Sequence, residues 1–512
     1  MSEVGALRVM TTLAYSRHTM RLVGVLGGGL GLVLALAASP SASQASAAET
    51  HGAGDARAAV SDGTWGHAQE VPGTAALNTG GQAAIESVSC TSAGNCSAGG
   101  SYRDATGHHQ AFVAGEVNGV WGQAQEVPGT AALNAGGDAG VLSVSCASAG
   151  NCSAGGVYEG ASSGHYQAFV AGEVNGVWGQ AKEVPGTAAL NTGEDAQLLS
   201  VSCASAGNCT AGGFYLDLVS PDVRHGKAFV VSEVNGVWGQ AKEVPGLEAL
   251  DSKSGAETTS VFCASAGNCI AGGFFQPELT QAFVVNEVNG VWGQAKEVPG
   301  TAALNTGGDA EVLSVFCGSA GNCTAGGFYR GADEHAQAFV AGEVNGVWGQ
   351  AKEVPGTAAL NTGGFAEISS VFCASAGNCS AGGHYTDSSG HYQAFVAGEV
   401  NGVWGQAKEV PGTAALNTGG GAGIVSVSCS SAGNCSAGGA YEAASSHSEA
   451  FVVSEVNGVW GKAEEVPGTA ALNAGGQAAI TSVSCSPAGY CSAGGAYLNA
   501  SGQQQAFVVS DA

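Results

Sequence analysis

The sequence predicts an all-β fold, an eight-bladed β-propeller of four-stranded blades. One unit is repeated eight times, and each copy holds short β-prone runs separated by turn residues. Radially repeated four-stranded sheets are the propeller architecture, with typically about four to eight blades. One tryptophan marks each copy, at intervals of 54 to 60 residues: Trp65, Trp121, Trp178, Trp238, Trp292, Trp348, Trp404 and Trp460.

The composition fits a packed, extracellular β protein. The 512 residues are 45% hydrophobic, which argues against disorder, and only 11% charged, against about 25% in an average protein. An excess of acidic residues, 41 against 15 basic ones, gives a formal net charge of -26. Such a charge repels phosphate backbones and anionic lipids. We therefore expect no nucleic-acid partner and no membrane insertion.

The N-terminal residues have the features of a secretory signal peptide. Basic residues such as Arg17 and Arg21 precede an apolar run at 22–38, and Ala45-Ser46-Ala47 offers a small-residue cleavage site. A membrane anchor is the alternative, but five glycines in the run favour cleavage. We predict a signal peptide over 1–47, a flexible segment over 48–60 and the propeller over 61–512, in a secreted, extracellular protein.

Each unit divides into four short strands. In the third unit, runs 229–234 and 237–244 flank Asn235-Gly236, the strongest short-range hairpin signal, because a type I′ turn needs two positive φ angles. Runs 200–203 and 209–215 flank a second connector rich in turn residues. No stretch shows a sustained period of 3.6 residues, so we expect helices to be almost absent.

The two ends of the repeat region complement each other. Residues 61–65 enter a unit part-way and continue as the Trp strand, whereas the chain stops at 506–512, just before the next Trp strand would follow. We therefore predict that the N-terminal strand completes the last blade and closes the ring. An open solenoid would need polar caps. Paired smaller propellers and sandwiches remain alternatives.

Every unit carries two cysteines with five residues between them, on either side of a predicted turn. In an oxidising compartment this even count predicts one local disulfide per blade, each contributing about 2 kcal/mol. Structural zinc sites space their cysteines about two to four apart and need further ligands, so we expect no metal. The predicted pairs are Cys90–Cys96, Cys146–Cys152, Cys203–Cys209, Cys263–Cys269, Cys317–Cys323, Cys373–Cys379, Cys429–Cys435 and Cys485–Cys491.

No catalytic motif stands out in the sequence. There is no nucleophile elbow, phosphate-binding loop or metalloprotease helix. Loop histidines such as His108 and His165 are expected to be solvated, and the glutamates of the Glu-Val-Pro-Gly segments to be exposed or paired with the neighbouring lysine. We therefore expect no catalytic residues, no cofactor and no enzymatic activity.

A sialidase-like hydrolase is one enzyme alternative. Segment 232–238 resembles a degenerate Asp-box hairpin of sialidase-like propellers, but Val234 stands where that box has aspartate. The resemblance also implies an arginine cluster that grips the sugar carboxylate. Beyond the predicted leader the chain has only Arg57, Arg103, Arg224 and Arg330, and the last three fall in different units.

Repeated binding is the function that the repeat favours, because many weak sites gain avidity without new contacts. The long connector Val-Pro-Gly-Thr-Ala-Ala-Leu-Asn-Thr-Gly-Gly has two interpretations. Its Leu seals the seam between blades and its Asn caps a turn, or the Asn, the nearby Trp and the Tyr after Gly-Gly line a sugar-binding pocket. Trp itself is expected mainly to pack between blades. The candidate ligand-binding residues are Asn78, Asn134, Asn191, Asn305, Asn361, Asn417, Asn473, Tyr102, Tyr158, Tyr215, Tyr329, Tyr385, Tyr441 and Tyr497.

The fourth unit departs from this pattern. Residues 247–253 replace the usual connector, and Phe275 replaces the tyrosine, so a connector site there should be weak or absent. The variable loops, such as 215–227, break the symmetry of the ring and are suited to a unique protein partner.

The unit S-V-S-C-x-S-x-G-x-C-x-A-G-G, followed by N-G-x-W, resembles secreted propellers of actinobacteria over roughly residues 57–512. It is also similar to the lectin propeller subunits of the umbrella toxin particles of Streptomyces. That resemblance implies a carbohydrate-recognising propeller on a larger secreted toxin scaffold protein, acting between bacteria. We therefore expect a lectin-like protein that binds glycans of a cell surface or wall. An extracellular protein–protein interaction scaffold is the alternative.

Overall fold

The computed structural model describes residues 64–162, 164–221, 223–250, 255–444 and 447–511. They form eight antiparallel sheets, the blades of a closed propeller, as the sequence predicts. The predicted signal peptide and the flexible segment lie outside the described residues. Over the described ranges, no helix has the length and apolarity needed to cross a membrane.

The two inner strands of each blade form a hairpin. The inner strands of neighbouring blades contact each other around the axis of the ring. In blades 1 to 8 the inner strands are Ala83–Ser92, Ala139–Ser148, Ala196–Ser205, Ala256–Ser265, Ala310–Ser319, Ala366–Ser375, Gly423–Ser431 and Ala478–Cys485. The second strands are Asn95–Arg103, Asn151–Glu159, Asn208–Ser220, Asn268–Phe275, Asn322–Arg330, Asn378–Thr386, Asn434–Glu442 and Cys491–Leu498.

The third strand pairs with the second on one side and with the outer strand on the other. The third strands are His109–Val117, Tyr166–Val174, Val223–Val234, Gln281–Val288, Ala336–Val344, Tyr392–Val400, Ser448–Val456 and Gln504–Ser510. In blades 1 to 7 the outer strand is split into two short pieces. The first pieces are Val120–Trp121, Val177–Trp178, Val237–Trp238, Val291–Trp292, Val347–Trp348, Val403–Trp404 and Val459–Trp460. The second pieces are Gln125–Glu126, Lys182–Glu183, Lys242–Glu243, Lys296–Glu297, Lys352–Glu353, Lys408–Glu409 and Glu464–Glu465.

The eighth blade is built from both ends of the chain. Gln69–Glu70 pairs antiparallel with the third strand of that blade, opposite Val508 and Phe507. Trp65 forms an isolated bridge with Asp511, where the other blades have the first outer piece. The predicted closure of the ring by the N-terminal strand is confirmed.

The two ends of the ring differ in their connections. We call one end the hairpin face, because it carries the turns between the inner and second strands and the Asn-Gly turns. In all seven Asn-Gly turns both φ angles are positive, for example 50° at Asn235 and 79° at Gly236, as a type I′ turn requires. We call the other end the connector face, since it carries the loops between the second and third strands and the connectors from blade to blade.

Within the described residues, helices are confined to one turn in each connector. They are Thr74–Leu77, Thr130–Leu133, Thr187–Leu190, Leu247–Leu250, Thr301–Leu304, Thr357–Leu360, Thr413–Leu416 and Thr469–Leu472. In each of the seven Thr-Ala-Ala-Leu copies, the preceding glycine is left-handed and the threonine hydroxyl donates to the backbone three residues earlier; in the first copy these are Gly73 and Thr74, which donates to Val71 O at 2.7 Å. The expectation that helices are almost absent is confirmed.

The Gly-Gly pair of each second strand is required by close packing. In blade 2, a side chain on Gly156 would run into the carbonyl oxygen of Gly140, on the paired inner strand next to its bulge. A side chain on Gly155 would meet Leu198 of the next blade. The inner strands therefore pack tightly because these two positions have no side chain.

A ring of serine hydrogen bonds joins the inner strands. In each seam a backbone N–H of one blade donates to a serine Oγ of the blade before it, at 3.0 to 3.1 Å. The serines are Ser87, Ser143, Ser200, Ser260, Ser314, Ser370, Ser426 and Ser482. Closer to the hairpin face, a second tier of serines makes the same kind of bond from blades 1, 2, 3, 7 and 8.

Blades 4, 5 and 6 replace the second-tier serine by phenylalanine. Phe262 and Phe316 stack with ring centroids 3.8 Å apart, and Phe316 and Phe372 follow at 4.0 Å. All three rings are buried. One hydrophobic cluster consequently extends across the seams of blades 4 to 7.

All eight predicted disulfides are present, each within one hairpin: Cys90–Cys96, Cys146–Cys152, Cys203–Cys209, Cys263–Cys269, Cys317–Cys323, Cys373–Cys379, Cys429–Cys435 and Cys485–Cys491. Eight local disulfides are typical of a protein from an oxidising, extracellular environment.

Candidate functional site

The asparagines singled out in the sequence lie at the connector face and are buried. Each of the seven ends its one-turn helix, and its side-chain amide donates to the start of the preceding blade's third strand. Asn305 Nδ2, for example, donates to Thr280 O at 2.9 Å and to Gln281 Oε1 at 3.0 Å. This geometry matches the turn-capping interpretation. The seven residues are Asn78, Asn134, Asn191, Asn305, Asn361, Asn417 and Asn473; a role of theirs in ligand binding stays a prediction.

The seven candidate tyrosines are also buried, near the same end of each blade. Their phenol hydroxyls donate to the glutamate of the Glu-Val-Pro-Gly segment, as Tyr158 does to Glu183 Oε2 at 2.9 Å. Burial and this carboxylate raise the pKa of the tyrosine. The same bond is made by Tyr102, Tyr158, Tyr215, Tyr329, Tyr385, Tyr441 and Tyr497. The phenols thus anchor these glutamates, and contact with a ligand stays a prediction here too.

The tryptophans lie at the opposite end from the asparagines. On the third strand of blade 1, Trp121 pairs with Glu116, whereas Asn134 contacts the backbone of His109. Seven residues of extended strand separate these points by about 20 Å. The pocket proposed between Asn, Trp and Tyr is therefore not formed. Trp packs between blades, as expected, with Trp292 Nε1 donating to Ser232 Oγ of the previous blade at 3.5 Å.

Clefts between blades open on the hairpin face. One cleft lies between blades 2 and 3, with a volume of about 490 Å³, and includes Glu233 and Trp238 in its lining. The equivalent cleft between blades 3 and 4 has about 370 Å³ and includes Glu287 and Trp292. A smaller one, of about 170 Å³, lies between blades 6 and 7. Each of the two larger clefts combines an indole, carboxylates and a lysine, a set that suits a polar ligand with an apolar face.

A glutamate row that the sequence analysis did not select lies along these seams. It is the glutamate of Glu-Val-Asn-Gly, present in seven units and replaced by Asp511 in the eighth. Burial raises the pKa of six of these carboxyls: Glu173, Glu233, Glu287, Glu343, Glu399 and Glu455. One feature of the sequence could have identified these glutamates. The same charged residue occurs next to the hairpin turn in seven units, although an exposed strand end would tolerate any polar residue.

The seams are not equivalent. Between blades 8 and 1, Tyr490 replaces the usual asparagine, and its hydroxyl donates to Glu116 Oε1 at 2.6 Å. Between blades 4 and 5, Asn286 Nδ2 donates to Glu343, and Asn286 Oδ1 accepts from Trp348 Nε1 at 3.2 Å. Larger side chains thus occupy these two seams, whereas glycine stands at the position of Asn286 in blades 1, 2, 5 and 6.

Exposed valines border the clefts. Each of the seven Asn-Gly turns is flanked by two valines, such as Val174 and Val177, whose exposures are 64% and 70%. Val174 also belongs to the lining of the cleft between blades 2 and 3. These side chains give the rim of the hairpin face a repeated apolar surface.

The loop histidines pack against the following blade. The rings of His108, His335, His391 and His447 lie against a left-handed glycine of the next connector, for example Gly137 next to His108. His165 Nε2 instead contacts Glu194 Oε1 at 3.3 Å. His108, His335, His391 and His447 are exposed to solvent despite these contacts, and His165 is half-buried, in keeping with the expectation that the loop histidines are solvated. In the described residues, no three His, Cys, Asp or Glu side chains gather closely enough to hold a metal ion.

The three arginines within the described ranges do not cluster. Arg103, Arg224 and Arg330 belong to blades 1, 3 and 5. Arg103 and Arg224 donate to nearby backbone carbonyls, and Arg330 forms an ion pair with Asp309 at 3.5 Å. Arg57 lies outside the described residues.

One asymmetric cluster lies near the connector end of blade 6. His384 Nδ1 is 3.7 Å from Glu367 Oε1, and both side chains are buried. Burial raises the pKa of Glu367 to about 7 and lowers the pKa of His384 to about 4. The imidazole stacks on Phe365, with ring centroids 5.4 Å apart. This group occurs once in the ring, unlike the repeated clefts.

Comparison with known proteins finds distant likenesses to solved structures. No protein-family profile and no curated sequence matches this chain. Among solved structures, the propeller domain of the Trilobed protease from Pyrococcus furiosus is 8% identical, with a TM-score of 0.40, over 75% of this chain and 98% of that one. A polysaccharide lyase of family PL25, an ulvan lyase, is 9% identical, with a TM-score of 0.40, over 88% and 94%. A glycoside hydrolase is 9% identical, with a TM-score of 0.26, over 49% and 86%.

The expectation that the chain has no enzymatic activity is wrong as an inference from its architecture. The solved structures that resemble this chain include an ulvan lyase and a glycoside hydrolase, and a fold does not by itself determine whether a protein is an enzyme. These likenesses, at TM-scores of 0.40 and 0.26, assign no activity to this chain. The class of protein that the structure defines is an eight-bladed, disulfide-stapled repeat β-propeller.

Proposed function

We propose that this propeller binds carbohydrate at several of the clefts between blades on its hairpin face. The observation that carries the proposal is the repetition of one chemical set, an indole wall, buried carboxylates and an apolar valine rim, in neighbouring seams. Sugars present both C–H faces and hydroxyl groups, which aromatic side chains and carboxylates respectively recognise. Weak sites repeated around a ring bind a polymeric ligand with avidity.

The resemblance to secreted actinobacterial propellers supports a target on a cell surface or cell wall. It also supports a larger secreted toxin scaffold as the protein that would carry this propeller. The connector-face asparagines and tyrosines are less favoured as ligand contacts than the hairpin-face clefts, because they are buried and their amide and phenol donors already bond within the ring.

A glycan array with the purified protein tests this proposal. Binding to immobilised polysaccharide that a soluble oligosaccharide of the same sugar competes away would support it. The matched variant is Asn208→Tyr, in a seam that contains one of the larger clefts. Asn208 precedes the second cysteine of its unit, and Tyr490 occupies the same position naturally in blade 8. We expect array binding to fall in this variant, and binding to no glycan by the unaltered protein would overturn the proposal.

A protein–protein interaction scaffold is the second candidate, supported by one long hairpin that extends from blade 3. In blade 3 the second and third strands, Asn208–Ser220 and Val223–Val234, extend several residues beyond those of the other blades. Leu218, Val219 and Val223 near the tip are 42%, 56% and 43% exposed. Shortening this hairpin to the length found in blade 2, followed by purification of the complex from culture medium, tests whether a partner is lost while glycan binding remains.

A further inference from the structure

We infer that the cleft between blades 2 and 3 is selective for a sugar that carries a free ammonium group, such as a glucosamine unit, and that Glu233 receives this group. This inference rests on the proposed function and names the ligand class of one of its clefts.

Glu233 is 8% exposed and belongs to the lining of the cleft. The Ser153 hydroxyl of blade 2 hydrogen-bonds its carboxyl group. Its Oε2 atom is buried and has no hydrogen-bond partner within the described residues. A buried carboxylate oxygen in this state is destabilising, and a donor supplied by a ligand would remove the penalty.

The seam between blades 3 and 4 shows which hydrogen-bond donor the seam of Glu233 lacks. There the equivalent carboxylate, Glu287, accepts from Ser232 at 2.9 Å and from Thr210 at 3.4 Å, so both of its oxygens are satisfied by the protein. In the seam of Glu233 the position of Ser232 is taken by Gly172. The internal donor is therefore absent in the seam that also has the larger cleft, about 490 Å³ against about 370 Å³.

No steric reason requires glycine at position 172. A Cβ atom there would meet no atom within 4 Å, and Gly172 is not among the residues with positive φ. The empty space beside it opens toward the same carboxylate. Serine would be tolerated by the backbone, as it is at position 232, so the glycine leaves room for an external group.

The charge of the cleft selects the kind of donor. Its lining holds two buried carboxylates, Glu173 and Glu233, and a single cation, Lys182, which is exposed. The whole chain has a formal net charge of -26, which attracts cations and repels anionic sugars. An ammonium group supplies both a hydrogen-bond donor and the missing positive charge, while the exposed lysine remains available to a sugar hydroxyl. Uronic and sialic acids are excluded by the same charges.

Isothermal titration with three trisaccharides tests the inference: a glucosamine trimer, its N-acetylated counterpart and a uronic acid trimer. We expect the glucosamine trimer to bind at least tenfold more tightly than the N-acetylated one, with no binding of the uronate. Glu233→Gln should remove this preference. Gly172→Ser should weaken glucosamine binding at least tenfold, because serine supplies the internal donor and fills the space. Glu248→Gln, an exposed site on the connector face, removes the same charge and should change nothing.

The outcomes separate the two proposals. Equal binding of the N-acetylated and free-amine trimers, or an unchanged preference in Glu233→Gln, overturns the inference about ammonium while carbohydrate binding stands. Failure of all three sugars, together with silence on the glycan array, overturns the proposed function itself. The melting temperatures of Glu233→Gln and Gly172→Ser serve as the folding control. If both are equal to or above that of the unaltered chain, a loss of binding is not caused by a loss of folding.

Discussion

The backbone N–H of Val88 donates to Ser482 Oγ at 3.0 Å, although 394 positions separate the two residues. This bond joins the first blade to the last and is the eighth member of the serine ring. The seam that the two chain ends form thus has the same inner hydrogen bond as the seven seams formed by consecutive blades.

Replacement of this serine should weaken the ring measurably. Ser482→Ala leaves the buried N–H of Val88 without its acceptor, so we expect a loss of about 1–2 kcal/mol in the free energy of unfolding. Denaturant titration measures it, with Ser389→Ala on an exposed loop as a control that should change by less than about 0.5 kcal/mol. Equal stability of the two variants would contradict a structural role for the serine ring.

Removal of the N-terminal strand should open the eighth blade. Deletion through residue 71 removes the pairing of Gln69–Glu70 and the buried side chains of Trp65 and Val71, for an expected loss of about 3–5 kcal/mol. Thermal unfolding and limited proteolysis of residues 504–510 report the change. A deletion through residue 63, behind the same secretion leader, should leave both measurements unaltered; a similar loss there would assign the effect to residues other than the closing strand.

Two glycines of blade 2 should respond oppositely to alanine. Gly156→Ala forces a Cβ atom against the carbonyl oxygen of Gly140 on the paired strand, so we expect a cost of about 2–4 kcal/mol. Gly172→Ala meets open space and should be neutral or slightly stabilising. Melting temperatures of the two variants decide the matter, and comparable destabilisation by both would refute the packing argument.

The buried pair in blade 6 predicts a specific pH dependence. Glu367 has its folded pKa raised to about 7 from 4.5, so its stabilising contribution is complete below about pH 4.5 and is lost as the pH rises through 7. His384 has its folded pKa lowered to about 4 from 6.5, so its contribution is complete above about pH 6.5 and is lost as the pH falls through 4.

Glu367→Gln separates the two effects. The variant should be more stable than the unaltered chain by about 1–3 kcal/mol at pH 8, where the carboxylate would otherwise be buried and charged, and nearly equal at pH 4.5. Denaturant unfolding at the two pH values measures the difference. A constant difference between the two would show that Glu367 does not titrate in this range.

The fold was accessible from the sequence because eight copies repeat every local signal. Asn-Gly between β-prone runs determines the outer hairpin, and the cysteine pairs determine the inner one. The joining of the two chain ends in one blade could also be predicted. The last unit stops before its Trp strand, and the residues from Trp65 onward supply that strand. The split of the outer strand was not predicted, because the two pieces are each only two residues long and carry no periodic pattern.

The candidate site was less accessible. Asn305 and Tyr329 repeat in most units, but repetition within one chain marks a shared structural role as readily as a binding role. Their partners are groups of the ring itself, at the start of the preceding blade's third strand for Asn305 and at Glu353 for Tyr329. Glu233 could not be distinguished from a solvated strand end until the curvature of the ring brought it next to Gly172 of the neighbouring blade. Contacts across seams depend on the twist of the blades, which the sequence does not state.

The stacked rings of Phe262, Phe316 and Phe372 have a consequence for fidelity of assembly. Nearly identical repeats can exchange partners, within one chain or between two molecules, because any blade edge could accept several others. A ring that placed serine where Phe316 now lies would lose both ring stacks, with Phe262 and with Phe372. The three consecutive phenylalanines therefore favour the pairing of blades 4, 5 and 6 in this order. They disfavour rings that close out of register and strand exchange with another copy.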